Sequence, residues 1–146
     1  MGETSPCPAC GYDSAQKVTR HWGFCIPIEA KSGNQTGSSG RGRSGWQYKK
    51  FRKAVAIAVG QVAFSKGTLP TKAKAKRRVW ITRLWGKGKR GFDTDNLVWG
   101  MKGVFDEFKK LGWIVEDSPK WVDRIYRQEK APDGVACIEV RIEELG

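Results

Sequence analysis

The chain has 146 residues, enough for one proper hydrophobic core and too few for two. Its 27 Lys and Arg outnumber 15 Asp and Glu, a formal charge of +12 that points to a polyanionic partner, nucleic acid being the commonest. No apolar run approaches the roughly 20 residues of a spanning helix and the first residues lack a signal-peptide core, so the expectation is a cytoplasmic protein with no membrane partner.

Residues 1–21 are polar and hold Cys7-Pro-Ala-Cys10-Gly, which reads as an appendage to a main domain over 22–146. The Cys-x-x-Cys spacing is that of a zinc knuckle. Cys7 and Cys10 are its candidate ligands for a structural Zn²⁺, with His21 and Cys25, or Cys137, to complete the set. Buried thiols in strands are the plainer role for Cys25 and Cys137. Trp22–Glu29 predicts a first strand, placed at an edge or bulge by Pro27. Residues 31–45 are rich in Gly and Ser and contain Lys31, Arg41 and Arg43. They read as a mobile basic loop, suited to closing on a phosphate backbone or to serving as a linker.

A helix is predicted from Trp46 to about Phe64, because Phe51, Val55, Ala58, Val59 and Val62 recur at helical spacing. Lys49, Lys50 and Arg52 crowd its first half, and Gly67 and Pro70 end it. The basic tract that follows holds Lys72, Lys74, Lys76, Arg77 and Arg78. Val79–Trp85 is β-branched and aromatic, hence a strand, and Gly86–Gly91 a basic turn. A second helix is predicted from Asp95 to Leu111. At about 100° per residue, Leu97, Met101, Val104, Phe105, Phe108 and Leu111 share one face, while Asp95, Lys102 and Asp106 share the other. Gly112 supplies its C-cap. Short strands are expected over 113–115, 121–128 and 135–142, with Ala131–Gly134 as the turn between the last two. The order predicts an α+β fold: a two-layer domain whose mixed sheet carries two main helices on one face.

Residues 30–92 contain 17 Lys or Arg and no Asp or Glu, and Asp93, Asp95, Lys102 and Asp117 follow at once. Phosphodiester hydrolysis needs hydroxide near neutral pH and neutralised phosphoryl oxygens, which one or two Mg²⁺ supply when hard oxygen ligands hold them. Asp93 and Asp95, two apart, point the same way in extended backbone. Each motif also has an ordinary reading. Asp-Asn at a helix start caps it, Lys102 and Asp106 form an i, i+4 surface pair, and Glu116-Asp117 makes a solvated turn. Among the seven tryptophans, packing is the default, with base stacking reserved for Trp46 or Trp99.

Phe92-Asp93-Thr94-Asp95-Asn96-Leu97, then Lys102-x-x-x-Asp106, then Leu111-Gly-Trp-Ile-Val-Glu116-Asp117-Ser118 resemble the RusA family of Holliday junction resolvases. The resemblance spans residues 22–143. It implies a homodimeric, Mg²⁺-dependent endonuclease, with Mn²⁺ as a substitute, that nicks four-way junctions and related branched DNA. Asp93, Asp95 and Asp117 would be the metal-binding catalytic carboxylates and Lys102 the lysine near the scissile phosphate. The chain departs from the family pattern twice. Trp99 stands where the shorter pattern has its lysine, and Glu116-Asp117 replaces paired aspartates. The expected DNA contacts, mainly to phosphates, are Lys31, Arg41, Arg43, Lys49, Lys50, Arg52 and the tract from Lys72 to Arg78. The alternative function is a non-catalytic basic nucleic-acid-binding protein.

Overall fold

A computed structural model describes residues 17–30, 43–66 and 69–146. It is an α+β fold with four strands and helices packed on the sheet. In chain order the elements are β1 (Val18–Ile26), α1 (Arg43–Lys66), β2 (Arg77–Trp85), α2 (Thr94–Gly100), α3 (Lys102–Leu111), β3 (Val122–Lys130) and β4 (Cys137–Leu145). The sheet order is β1-β4-β2-β3. β4 is antiparallel to both of its neighbours, while β2 and β3 are parallel and joined by the crossover through α2 and α3.

Register explains the layers. Because side chains alternate along each strand, Phe24, Val140, Ile81 and Tyr126 form one row across the helix-bearing face, and Trp22, Ile142, Val79 and Arg124 the next. Outward from these, the row of Ile26, Ile138, Arg83 and Gln128 lies toward the ends of β2 and β3 where both strands finish. At the other end lies the row of Arg20, Glu144, Arg77 and Val122. The middle rows are therefore apolar on β1, β4 and β2, with Tyr126 and Arg124 at their β3 end, and the outer rows mix apolar with charged or amide groups.

α1 buries Phe51, Val55, Ala58, Val59 and Val62 against that face, as its periodicity predicts. The second helix is bent into two pieces at Met101, whose N–H is shared between the carbonyls of Leu97 and Val98 at 3.1 and 3.2 Å. Leu97, Met101, Val104, Phe105 and Phe108 are buried as expected, whereas Leu111 is exposed where α3 ends. Gly112, with φ of 79°, closes α3. Its N–H bonds Lys109 O, and Trp113 N–H reaches back to Phe108 O at 2.9 Å. These are the paired bonds of a Schellman cap, which only a left-handed residue completes without strain.

Several boundaries differ from the sequence reading. β1 begins earlier and ends before Pro27, which lies outside the ladder. Residues 113–115 form no strand. Trp113 and Ile114 are buried as part of the turn that leaves α3, so their apolar character reflects burial without pairing. The Ala131–Gly134 turn is present, but it crosses over the end of β2 instead of closing a hairpin. Ala131 N–H bonds Trp85 O at 2.9 Å, and Lys87 N–H bonds Gly134 O at 3.1 Å. Among the described residues, no helix is long and apolar enough to cross a membrane. Residues 1–16 and 31–42, including Cys7, Cys10, Lys31 and Arg41, lie outside the described residues, and with them most of the expected appendage, whose residues 18–21 belong to β1, and most of the proposed loop.

Candidate functional site

Asp93 is the N-cap of α2. Its Oδ1 accepts from Asn96 N–H at 2.8 Å and its Oδ2 from Asn96 Nδ2 at 2.9 Å, so the helix start occupies both oxygens. Asp95 is exposed in the first turn of α2. What fixes Asp93 in space is a residue the sequence reading passed over. The Gln128 side chain, from β3, accepts from Phe92 N–H at 2.9 Å and donates back to Phe92 O, holding that peptide as a neighbouring strand would. Arg83 braces the clamp. Its Nη1 donates to Gln128 Oε1 at 3.3 Å and to Arg90 O at 2.9 Å, and its guanidinium lies 3.4 Å from the centre of the Phe92 ring. An alternating strand with an inward Gln near its end was the available signal.

Asp117 precedes β3 and pairs with Arg124 at 2.9 Å. Arg124 points to the helix-bearing side of the sheet and lines a cleft of about 320 Å³ together with Thr94 and Val98 of α2. Asp117 therefore faces the same side of the sheet as α2. Its Oδ1 is buried and, among the described residues, accepts no hydrogen bond, the Arg124 contact being an ion pair with poor hydrogen-bond alignment. Burial pushes the neighbouring Tyr126 hydroxyl up. Arg124 opposes that shift and the charge of Asp117 adds to it.

Lys102 is tied to α1 and α3. Its Nζ is 3.2 Å from Asp106 Oδ2, the same oxygen to which the Tyr48 hydroxyl donates a short hydrogen bond, and it lies 5.6 Å from the centre of the Tyr48 ring. Burial, then the Asp106 bond, pushes the Tyr48 hydroxyl up to about 12, which leaves it a donor at neutral pH.

The three aspartates thus sit at two anchor points, Gln128 for the Asp93 segment and Arg124 for Asp117. Four residues of strand, about 13 Å of rise, separate those anchors. Among the described residues, no group of three or more His, Cys, Asp or Glu side chains is placed to hold a metal ion. In donor chemistry the set still suits a hard cation: carboxylate oxygens throughout, one of them buried and short of a partner.

The basic set divides sharply. Lys49, Lys50, Lys72 and Lys74 are exposed. Arg77 and Arg78 are not available to a phosphate backbone, because both are buried and committed to internal partners. Arg77 pairs with Glu144 at 3.0 Å, donates to the carbonyls of Thr71 and Trp113, and stacks 4.6 Å from the Trp22 ring centre. Arg78 pairs with Glu143 at 3.6 Å. Arg52 faces the buried Glu107 at 3.5 Å, and Lys76 meets Asp123 at 3.0 Å. Arg43 begins α1.

His21 and Cys25 cannot share one zinc while both belong to β1, since an i, i+4 pair in a strand is about 13 Å apart. Cys25 and Cys137 are free thiols that approach one another across β1 and β4. Burial and the Cys25 neighbour push the Cys137 thiol up to about 12. Trp99, one of the two tryptophans reserved for base stacking, is half exposed on α2.

The chain matches no protein-family model and none of the curated proteins with which it was compared.

Proposed function

We propose that this protein is a Mg²⁺-dependent, structure-selective DNA endonuclease that acts on four-way junctions and related branched DNA as a cytoplasmic homodimer. The observation that carries the reading is Asp117. Its carboxylate oxygen is buried and lacks a hydrogen bond, on the sheet face that also bears Asp93 and Asp95. Burying such an oxygen is costly unless a cation compensates, and Arg124 fills that role with poor alignment. Asp93, Asp95 and Asp117 are the residues that would hold Mg²⁺. When bound, the ion supplies an ionised water and neutralises phosphoryl charge.

The chain's own groups have separable parts. Gln128 fixes the peptide before Asp93 and Asn96 holds its carboxylate, so that side chain is positioned before any ligand arrives. Lys102, half exposed beside Asp106, offers an ammonium to the charge that grows on the phosphoryl oxygens. The exposed lysines of α1 and of the segment before β2 meet the backbone phosphates, so affinity falls steeply with salt.

The other reading is a non-catalytic nucleic-acid-binding protein. It is favoured by one feature, the use of both Asp93 oxygens in capping α2. Incubation of a synthetic four-way junction with the protein in Mg²⁺ or Mn²⁺ decides between them. The nuclease cuts, and Asp117→Asn abolishes cutting while binding persists. Binding by wild type without cleavage of any branched DNA establishes the binding protein instead.

A further inference from the structure

A cleft of about 580 Å³ opens beside the basic turn after β2, lined among others by Glu29, Arg83, Lys89, Arg90, Asp93 and Asn96. Its charges are unevenly matched. Arg83 is only 2% exposed, yet among the described residues it has no carboxylate within 4 Å, and it is satisfied by the Arg90 carbonyl, the Gln128 amide and the Phe92 ring. Burial pulls its guanidinium below the usual arginine range, with only the more distant charge of Glu29 acting against that. A buried cation held by dipoles alone is the arrangement an anion completes. Lys89 and Arg90 add two exposed cations at the mouth. On the acidic side, Asp93 is engaged by Asn96. Glu29 is an exposed rim group 3.8 Å from Lys89, a loose pair that an incoming anion displaces at little cost.

We infer that this cleft, with Arg83, Lys89 and Arg90 as its cations, is a phosphate subsite that seats a backbone phosphate of the nucleic acid next to the one presented to Asp93. A phosphate there accepts from Arg83 and Arg90 through charge-assisted bonds and replaces Glu29 as the partner of Lys89. The subsite shares a wall with the Asp93 segment, because the Arg83–Gln128–Phe92 clamp forms both. A strand gripped there is held in register with the acidic residues, which the exposed lysines of α1 alone would not achieve.

This inference rests on the nucleic-acid reading above, and one experiment keeps the two apart. Binding of a labelled four-way junction to the full chain is measured in EDTA across a range of salt concentrations. The variants are Lys89→Gln/Arg90→Gln, Arg83→Gln, and a control, Lys109→Gln/Lys110→Gln, that removes the same charge from exposed residues at the end of α3. Loss of one phosphate contact reduces the slope of log K against log salt by about one, and affinity by roughly tenfold, in the turn variant but not in the control. Circular dichroism reports whether Arg83→Gln stays folded; the turn variant carries the test if it does not. Equal losses in the turn variant and the control, or no loss in the turn variant, overturn the subsite. A wild-type chain that binds no nucleic acid overturns the reading on which it rests.

Discussion

Asp93 has two proposed duties, capping α2 and holding a metal, and substitution separates them. Asn is as good an N-cap as Asp, because its side-chain oxygen accepts the same Asn96 N–H. Asp93→Asn therefore leaves stability within about 0.5 kcal/mol of wild type, whereas Asp93→Ala removes the cap and costs about 1 kcal/mol, in a range of roughly 0.5–2. For a chain of this size a 1 kcal/mol loss lowers the melting temperature by about 4 °C. Cleavage follows the opposite logic. Both variants lose a hard, charged ligand, so both lose Mg²⁺-dependent cutting by several orders of magnitude, and calorimetric titration of Mg²⁺ shows weakened binding in each. Thermal melts, junction cleavage and calorimetry on the three proteins form a complete set. An Asp93→Asn protein that cuts junctions at the wild-type rate refutes the metal role, and the aspartate is then a cap alone.

Gln128→Ala removes both bonds to the Phe92 peptide, and it should reduce cleavage at least tenfold while junction binding changes less than threefold, read by single-turnover kinetics and fluorescence anisotropy. Glu144→Gln strips the charge that meets Arg77 and Arg20, leaving a buried guanidinium poorly compensated. A loss of about 3 kcal/mol in urea unfolding is expected. Burial raises the Glu144 carboxyl, but hydrogen bonds and charge from Arg20 and Arg77 outweigh it and hold the group below its ordinary 4.5. Its contribution is thus complete above about pH 4.5 and fades as pH falls below that, so a pH series of unfolding free energies for wild type declines more steeply there than for Glu144→Gln. Two glycines should respond in opposite directions to alanine. Gly60→Ala meets nothing within 4 Å and gains about 0.5–1 kcal/mol of helix stability, whereas at Gly103 the added methyl would lie 3.1 Å from the buried Phe51 ring and destabilises by about 1–2 kcal/mol, both read from thermal melts.

Much of the framework was legible in local pattern. The α1 stripe from Phe51 to Val62 and the buried face from Leu97 to Phe108 follow from periodicity, and β2 from its β-branched and aromatic run. What failed is what depends on distant chain. Arg77 and Arg78 looked like part of a polyanion grip because only their neighbours in sequence were counted. Glu143 and Glu144, far along the chain, come opposite them in β4 and neutralise them inside. The bend at Met101 was hidden because the apolar repeat passes through it without a break, even with Gly100 and Gly103 on either side. Trp113 and Ile114 read as a strand because burial leaves the same composition whether or not a ladder forms. For the candidate site, sequence identified the acids but not their holders. Gln128 and Arg124 are unremarkable in a linear reading, and each takes its meaning from the register of β3 beside β2.

The sheet order has a consequence for how this protein comes into being. β4 comes last in chain order among the four described strands, yet it is the inner member that pairs with both β1 and β2. Until those nine residues emerge, β1 has no described partner and the β2–β3 pair presents an open flank. Pairing between strands as far apart in sequence as β1 and β4 makes folding slow relative to helical proteins of this length. A truncation after the Ala131–Gly134 turn would accordingly leave two separate fragments of a sheet, prone to find partners in other molecules through their bare edges.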